Sequence, residues 1–358
     1  MIIMIGPNFK VRGGISSVYC SLYENSDFFK REVKYISTYN DQDFLHKMTS
    51  ALTGMFAFLY CVLFKEVRLV HVNIAEGASF FREGLIAALA MIFRKRTVVH
   101  MHSGLFVHFY SKSTRIIRKL IKRLFYSADR IIFLSDTEHR SFKVIIGDST
   151  NVRIVNNGIS NIVQYSGSIS KIDTRKQICL LYMGRVCKNK GIFTLIDTAH
   201  ELRTLYTIPF QMIVCGHYDI KEMGDILQRI ESLGLSSYFS FTGWIGPREK
   251  IDYLNQCDIY IHPSLFEGMP ISIIEALMFG KPVIATNVGG VPEMIQNDVN
   301  GYLVDIGDYQ SIAKHVVDIA GDSELYCKMS KFSRECYTSR YDLQIMERKL
   351  IEVYSEII

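Results

Sequence analysis

The chain has 358 residues, of which 48% are hydrophobic and 22% charged, so it holds enough apolar material for about two domains and is not a disordered chain. Its seven prolines and 24 glycines exclude a collagen-like or linker-like protein. The net charge of +5 conceals an asymmetry: residues 1–170 hold 22 Lys and Arg against 12 Asp and Glu, whereas residues 171–358 hold 19 against 24. This asymmetry predicts that the first half faces an anionic partner.

The first half of the chain alternates apolar runs with amphipathic stretches. The runs are rich in β-branched residues and end in small or polar residues, which is typical of buried parallel strands. Helices are predicted between them, as at Arg82–Phe93. The predicted strands are Ile2–Ile5, Leu69–Asn73, Thr97–His102 and Arg130–Ser135.

One apolar run, Met48–Phe64, has 17 residues without a charge. A helix that spans a bilayer needs about 20 apolar residues, and this run contains two threonines, a serine and a glycine. We therefore predict a buried or interface-lying helix, with a transmembrane span as the alternative.

The eight cysteines are scattered through the chain, without a C-x-x-C pair or a zinc-finger spacing. Most lie in apolar runs, as expected for buried thiols in a reducing compartment. The N-terminal segment MIIMIGPNF lacks a basic region and a cleavage site, so we expect no secretory signal. These features predict a cytoplasmic protein.

The second half repeats the rhythm of strands and helices, and the polar stretch Ser160–Ser170 is the best linker candidate. Two β/α halves predict two doubly wound domains facing each other, with ligands at the carboxyl ends of the strands and in the inter-domain cleft. We expect domains at 1–165 and 166–340, and a final helix, 341–358, that crosses back to the first domain. The predicted strands of the second half are Ile178–Met183, Gln211–Cys215, Tyr238–Thr242, Asp258–His262, Pro282–Thr286 and Gly301–Val304.

Three segments could carry chemistry. Gly13-Gly14 follows the first strand and opens a helix, where a ligand can approach the backbone and the helix N-terminus favours anions; a simple tight turn is the alternative. The segment from Gly184 to Gly191 follows a buried strand and contains Arg185 and Lys190. A guanidinium and an ammonium together suit a diphosphate, although two solvated loop cations would look the same.

The densest segment begins at His262 and passes from a strand end through a loop into a helix that starts near Pro270. Glu267 lies in the loop, and Glu275 interrupts the apolar pattern of the helix. A carboxylate in such a place needs a partner, and sugar or ribose hydroxyls are suitable, as is a structural cation. The amides of Gly268–Ile271 could hold a phosphate at the helix N-terminus.

Over nearly its whole length the chain resembles the retaining glycosyltransferases of family 4, which have the two-domain GT-B fold. The marks are GGI at 13–15, HSG at 102–104, NNG at 156–158, GR and NKG within 184–191, and FTGW at 241–244. The most specific mark is E-x7-E, from Glu267 to Glu275.

The resemblance implies a role for each candidate residue. Arg185 and Lys190 would neutralise the departing diphosphate in place of a metal ion, so neither a metal nor another cofactor is expected. Glu275 would bind the ribose and Glu267 the donor sugar. His102 would lie beside the sugar on the acceptor side, although His100 shares its strand face and the sequence does not separate the two. Backbone contacts to the nucleotide sugar are implied for Gly14, Gly184, Gly243, Trp244, Ile245, Gly268, Met269, Pro270 and Ile271.

A basic amphipathic helix is predicted at Ser111–Ser127. Its apolar positions recur at helical spacing, and no acid occurs between Gly84 and Ala128, whereas nine Lys and Arg do. We expect it to contact an anionic membrane surface while its apolar stripe enters the core; a plain domain helix is the alternative. No aromatic platform or motif supports nucleic-acid binding. The predicted contact residues are Lys112, Arg115, Arg118, Lys119, Lys122 and Arg123.

We interpret the chain as a glycosyltransferase that moves a hexosyl or N-acetylhexosaminyl group from a nucleotide sugar, with UDP as the expected nucleotide. The acceptor is expected to be a glycan, linked to a lipid diphosphate, in bacterial surface polysaccharide synthesis (O-antigen, capsule or exopolysaccharide), at the inner face of the cell membrane. The alternatives are a GT-B sugar-nucleotide epimerase or hydrolase and a non-catalytic binding relative. A dehydrogenase is excluded because the dinucleotide fingerprint is missing.

Overall fold

The computed structural model describes residues 1–162, 177–206, 208–218 and 220–358. The chain divides into two compact units. The N-terminal unit comprises Met1–Ser160 and Tyr341–Ile358, and the C-terminal unit comprises Asn161–Arg340. The predicted boundary between residues 165 and 166, and most of the predicted linker, lie outside the described residues.

The N-terminal unit contains a parallel sheet with the strand order β2-β1-β3-β4-β5-β6. Its strands are β1 (Ile2–Pro7), β2 (Val33–Tyr39), β3 (Leu69–Ile74), β4 (Arg96–Met101), β5 (Arg130–Phe133) and β6 (Val152–Ile154). Its helices before the C-terminal unit are α1 (Gly14–Asn25), α2 (Asp27–Glu32), α3 (Phe44–Phe64), α4 (Ala78–Ile92), α5 (Phe106–Lys112), α6 (Arg115–Ser127) and α7 (Asp136–Ile146).

The C-terminal unit has a second parallel sheet, with the order β12-β11-β10-β7-β8-β9. Its strands are β7 (Ile178–Met183), β8 (Phe210–Cys215), β9 (Phe239–Gly243), β10 (Ile259–His262), β11 (Val283–Thr286) and β12 (Gly301–Val304). Its helices are α8 (Ile192–Glu201), α9 (Ile220–Ser232), α10 (Pro247–Gln256), α11 (Ile271–Met278), α12 (Tyr309–Gly321) and α13 (Ser323–Cys336). The last helix of the chain, α14 (Leu343–Ser355), belongs to the N-terminal unit.

Two parallel sheets of this kind are the expected doubly wound architecture, and the predicted strands match observed strands within about one or two residues at their ends. Two strands, β2 and β6, were not predicted. Both occupy sheet edges, and β2 alternates buried with exposed residues whereas β6 is half-buried throughout. A search for continuous apolar runs misses these two edge strands, although it detects the edge strands β9 and β12 of the second sheet.

Helix α14 docks on the N-terminal unit beside the NNG segment. The backbone of Ile159 pairs with the chain on both sides of Asp342, since its N–H donates to Tyr341 and its carbonyl accepts from Leu343. A β-carbon on Gly158 would lie 2.9 Å from the carbonyl oxygen of Asp342 and 2.9 Å from Cβ of Met346. Gly158 is thus needed for close packing of α14.

Helix α3 is mostly exposed, so of the two predicted forms of the Met48–Phe64 run the buried helix is excluded and the interface-lying helix stays a prediction. It is long and apolar enough to cross a membrane, but only 22% of its most apolar 18-residue window is buried in the protein. Its inner side, with Gly54, Phe58, Cys61 and Val62, packs on the N-terminal unit. At Gly54 an added β-carbon would lie 2.5 Å from the carbonyl oxygen of Ser37 on β2, so α3 lies directly on the edge strand.

We expect Gly158→Ala to lower the free energy of unfolding by roughly 1–3 kcal/mol, the usual cost of overpacking. The new methyl group would displace α14 from its contact with residue 158. Urea unfolding of the full chain measures this. Gly224→Ala is the matched control, since Gly224 lies in α9 with open space around its α-carbon, and there alanine should be neutral or stabilising. Equal stability of the two variants would contradict the packing role of Gly158.

Candidate functional site

Three neighbouring strands of the C-terminal unit end at glycines that bring their backbones close together. The N–H of Gly184 donates to Cys215 at 2.9 Å, and the N–H of Gly216 donates to Gly243 at 2.8 Å. Gly216 has a φ of +156°, and a β-carbon there would lie 1.7 Å from the carbonyl oxygen of Gly184. Gly243 has a φ of +71° and open space where its side chain would be. The strand ends therefore present bare backbone, as a closely bound ligand requires.

The loop after β7 presents the two predicted cations. A single 3₁₀ turn, Lys188–Lys190, ends at Gly191. Gly191 has a φ of +78°, and an added β-carbon would lie 1.9 Å from the carbonyl oxygen of Pro263, so no side chain fits there. The N–H of Leu265 donates to Asn189 at 3.0 Å, which joins this loop to the loop after β10. Arg185 is exposed, and its guanidinium has no hydrogen bond or ion pair with any described residue.

Glu267 is the centre of a buried charge cluster. Lys190 Nζ donates to Glu267 Oε1 at 2.6 Å, and His262 Nε2 lies 2.9 Å from the same oxygen. The side chain of Glu267 is only 10% exposed. Burial alone would raise its pKa, but the hydrogen bond and charge of His262 and the charge of Lys190 together lower the pKa to about 2. Glu267 is therefore ionised at neutral pH and fixed in position.

The backbone of the loop that carries Glu267 packs against Gly289 and Gly290, two residues that the sequence did not predict. The N–H of Gly290 donates to Gly268 at 2.7 Å, and a β-carbon on Gly289 (φ +54°) would lie 1.9 Å from the carbonyl oxygen of Glu267. The chain then enters α11 at Ile271, after the buried Met269 and Pro270. The first amides of a helix have no acceptor within it, so this end suits an anion.

Glu275 lies in α11 and is 8% exposed. Lys250 Nζ of α10 donates to Glu275 Oε1 at 2.6 Å, so the carboxylate has a protein partner of opposite charge. Sequence reasoning missed Lys250. The acid in an apolar helix showed that a partner was needed, but nothing in the pattern of α10 distinguishes Lys250 from its neighbours.

Trp244 and Ile245 follow Gly243 at the end of the edge strand β9. The Trp244 side chain is 51% exposed, whereas Ile245 is 9% exposed. Trp244 is the only tryptophan of the chain. An exposed aromatic ring beside bare backbone offers a surface on which a planar ligand can stack.

In the N-terminal unit, Gly14 is the exposed first residue of α1, after Gly13 with its extended φ of −178°. His102 follows β4, is half-buried, and donates its backbone N–H to Ile74 at 3.0 Å. His100, two residues earlier and within β4, is completely buried. Of the two histidines, His102 is thus the one with access to solvent.

His102 belongs to a network of polar side chains on β3, β4 and α1. Asn73 Nδ2 donates to the carbonyl of Ile5 at 2.8 Å, which makes Asn73 Oδ1 an acceptor. His102 Nε2 lies 2.8 Å from that oxygen, and the Tyr19 hydroxyl donates to it at 2.6 Å. His102 therefore carries its proton on Nε2, and Nδ1 is left as the unprotonated nitrogen.

Two further histidines continue the network towards α14. His100 Nδ1 lies 3.2 Å from His71 Nε2, and His71 Nδ1 lies 2.7 Å from the Tyr354 hydroxyl. Burial lowers the pKa of His71 and of His102 to about 3, and that of His100 well below its ordinary value. All three rings are neutral at physiological pH, so this network orients groups and carries no charge.

Within the described ranges, no group of three His, Cys, Asp or Glu residues could hold a metal ion. The eight cysteines are unpaired, four of them buried and four half-buried. Lys190 pairs with Glu267. Arg185 lies on the same loop as Lys190, is exposed, and has no anionic partner in the described chain.

The low pKa of Glu267 predicts a pH-dependent contribution to stability. A carboxylate with a folded-state pKa of about 2 against an ordinary 4.5 stabilises the protein by roughly 3 kcal/mol above pH 4.5, and this is lost as the pH falls towards 2. The difference in unfolding free energy between the native chain and Glu267→Gln should therefore shrink between pH 5 and pH 3. Urea unfolding at each pH measures it, with the exposed Glu231→Gln as control. A difference that is constant with pH would refute the charge cluster.

Asn73→Asp should raise the pKa of His102 by about 1–3 units, because it places a carboxylate where a neutral oxygen now accepts the imidazole proton. Ring-proton NMR titration measures the change, and ¹⁵N shifts report the tautomer. In the native chain we expect none of His71, His100 and His102 to titrate above pH 5. Asn151→Asp, in a turn outside the network, is the control. Titration of His102 near its ordinary value in the native chain would contradict the assignment.

Comparison with known proteins gives a consistent result. Residues 168–335 match the family model of the glycosyl transferases group 1. The phosphatidylinositol N-acetylglucosaminyltransferase GPI3 subunit of Saccharomyces cerevisiae is 26% identical over 314 residues, which cover 83% of this chain but only 65% of that protein. The UDP-Gal:alpha-D-GlcNAc-diphosphoundecaprenol alpha-1,3-galactosyltransferase of Escherichia coli is 24% identical over 315 residues, 84% of this chain and 78% of that protein.

Among solved structures, that of Anabaena Alr3699/HepE in complex with UDP-glucose matches with a TM-score of 0.74 at 19% identity and covers 99% of each chain. This likeness shows the fold. Two parallel Rossmann-like sheets, this structural match and the family model in the C-terminal unit agree with one another. The chain therefore has the GT-B fold, and its residues 168–335 are similar to the glycosyl transferases group 1.

Proposed function

We propose that the protein is a retaining glycosyltransferase that moves a hexosyl or N-acetylhexosaminyl group from a UDP-sugar to a glycan acceptor linked to a lipid diphosphate. The observation that carries the proposal is the guanidinium of Arg185, which is exposed and has no hydrogen bond or ion pair with the described residues, on the same loop as Lys190, the partner of Glu267. The relatives support the donor and the acceptor, since the Escherichia coli protein is named for both. Synthesis of a surface polysaccharide (O-antigen, capsule or exopolysaccharide) is the corresponding process.

Arg185 and Lys190 supply the catalytic charge. As the bond from the sugar to the diphosphate breaks, negative charge grows on the departing oxygen, and cations already in place stabilise that state more than the ground state. Lys190 is held by Glu267 at 2.6 Å, which fixes its position before the donor arrives. Because the two cations can take the place of a metal ion, we propose a metal-independent enzyme.

The remaining side chains of the C-terminal unit fit the other parts of the donor. The described contacts of Glu275 engage Oε1 only, so its second oxygen can accept from a ribose hydroxyl. Glu267 can accept from a sugar hydroxyl in the same way. The bare backbone at Gly184 and Gly243 and the exposed ring of Trp244 suit the diphosphate and the base. The first turn of α11 suits a phosphate or a sugar oxygen.

We propose that transfer retains the anomeric configuration without a covalent intermediate on the enzyme. Glu267 is tied to Lys190 and His262, and Glu275 to Lys250, so both carboxylates are placed as acceptors of hydrogen bonds. We propose that the acceptor attacks the face that the diphosphate leaves, through an oxocarbenium-like state. In the N-terminal unit we propose that His102, which is accessible to solvent, lies beside the donor sugar on the acceptor side. The backbone of Gly14 is the second proposed contact of this unit with the nucleotide sugar.

We further propose that the enzyme works as a cytoplasmic protein on the inner face of the cell membrane. The cations of α5 and α6 support this, because Lys112 of α5 and Arg115, Lys119, Lys122 and Arg123 of α6 are exposed. Arg118 differs from the expectation: it is half-buried, and its Nε donates to the Tyr110 carbonyl at 3.1 Å. It fixes the end of α5 and is not placed for lipid phosphates.

The test is nucleotide release from a panel of UDP- and GDP-sugars, in EDTA, with and without an acceptor that carries a lipid diphosphate. We expect release only when one UDP-sugar and the acceptor are both present. Release without an acceptor would favour the epimerase or hydrolase. Absence of both release and nucleotide binding would favour a non-catalytic relative.

Arg185→Ala should lower kcat at least about a hundredfold, as loss of one preorganised transition-state contact typically does, without changing the melting temperature. Lys188→Ala removes an exposed cation from the same loop and is the control, for which we expect nearly normal turnover. A folded Arg185→Ala variant with normal turnover would refute the proposal.

The product of an α-linked donor should be α-linked. Proton NMR of the purified product, through the coupling constant of the anomeric proton, measures the configuration. A β-linked product would overturn retention while leaving the transferase assignment in place.

A further inference from the structure

Helices α3, α4 and α6 lie side by side on one face of the N-terminal sheet, with α4 in contact with both of the others. Large apolar side chains cover the solvent side of α3 and α4. Their exposed fractions run from 47% at Met48 to 72% at Ile92. We call this surface the α3–α4 apolar face; its residues are Leu45, Met48, Leu52, Phe56, Tyr60 and Leu63 of α3 and Phe81, Leu85 and Ile92 of α4.

The face is continuous along α3. Leu45, Met48, Leu52 and Phe56 recur every three or four residues, so they form one stripe along the helix. The helix has 21 residues and is therefore about 31 Å long. Monomeric proteins rarely expose a continuous apolar surface of this extent, and such surfaces mark contacts with proteins or membranes.

The distribution of charge around the α3–α4 apolar face indicates which partner it binds. Between Thr49 and Phe64 the chain has no charged residue, whereas the neighbouring α6 exposes Lys119, Lys122 and Arg123. No acid occurs from Gly84 to Ala128. An apolar surface bordered by cations is complementary to a bilayer with anionic headgroups. A second copy of the chain fits worse, because apposed copies of this face would bring like charges together.

The packing of α3 distinguishes lying in the membrane from crossing it. The inner side of the helix buries Phe58, Cys61 and Val62 in the core of the N-terminal unit, and Gly54 fits against the Ser37 carbonyl. A spanning helix would have to leave these contacts. A helix with one face in the protein core can still place its other face at the boundary between headgroups and acyl chains.

We propose that the α3–α4 apolar face inserts into the cytoplasmic-side boundary of an anionic bilayer, with α3 in the membrane plane. The inference rests on the proposed function and deepens it. Insertion of this face would hold the enzyme at the membrane, where a lipid-linked acceptor resides. The contact is mainly apolar, and the cations of α6 add a salt-sensitive part.

The first test is flotation of the full chain with vesicles of phosphatidylcholine, alone or with one quarter phosphatidylglycerol, at 0.1 and 1 M salt. Phe56→Ser with Leu63→Ser should lower vesicle binding at least about tenfold under all conditions, since two large side chains leave the lipid. Lys119→Gln with Lys122→Gln should lower binding only to anionic vesicles at low salt. Ile220→Ser with Leu227→Ser, two exposed apolar residues of α9, is the control and should bind normally.

The second test measures depth by tryptophan quenching with brominated lipids, using single tryptophans placed at Leu45, Phe56 and Leu63. Equal, shallow quenching at the three positions is expected for a helix in the membrane plane. Deep quenching at Phe56 with shallow ends would show a span and overturn the proposal. The native Trp244 lies in the C-terminal unit and provides the background signal in the unsubstituted chain.

Normal vesicle binding by the α3 double variant would also overturn the proposal. So would light scattering that shows a dimer of the native chain which the double variant dissociates. Transfer to a water-soluble acceptor analogue separates this inference from the proposed function. A variant that transfers normally but does not bind vesicles supports the inference, whereas a native chain that binds vesicles but never transfers contradicts only the proposed function.

Discussion

The organisation of the candidate site depends on one buried carboxylate. Glu267 takes hydrogen bonds from Lys190 and His262, which come from the loop after β7 and from the end of β10. An ionised carboxylate that is 10% exposed is costly unless it is paired, so these segments can hold their geometry only together. The glycines at 191 and 289 serve the same end, because each lets one loop touch the backbone of the next. Arg185 is held separately, since its carbonyl accepts a hydrogen bond from the Tyr182 hydroxyl at 2.8 Å.

Much of the fold was predictable because both sheets have central strands buried on both faces. Strands such as Ile178–Met183 and Val283–Thr286 are buried at every position, and the sequence marks them almost to the residue. The edge strands β2 and β6 escape the same logic, because β2 mixes buried with half-buried and exposed residues and no residue of β6 is fully buried. For helix α3 the apolar run alone left a buried and an interface-lying helix open, and only the structure shows that its outer side is exposed.

In the site, sequence reasoning found residues whose chemistry is unusual for their place and missed those that only complete a pair. Arg185 and Glu275 could be found because a cation at a strand end and an acid in an apolar helix are conspicuous. Lys250, Asn73 and Tyr19 have no such signature, since their partners are distant in the chain. Their positions follow from the tertiary structure alone, as the separation of 54 positions between the partners Tyr19 and Asn73 illustrates.

The return of α14 to the N-terminal unit has a consequence for synthesis of the chain. The C-terminal unit, Asn161–Arg340, is in effect an insertion between two parts of the other unit. On the ribosome the first 160 residues emerge early, yet Gly158 and His71 receive their partners Met346 and Tyr354 only when the last turns of the chain are made. The insertion can complete its own sheet before that point. The half that is translated first is thus the half that is finished last, which reverses the usual N-to-C order of domain folding.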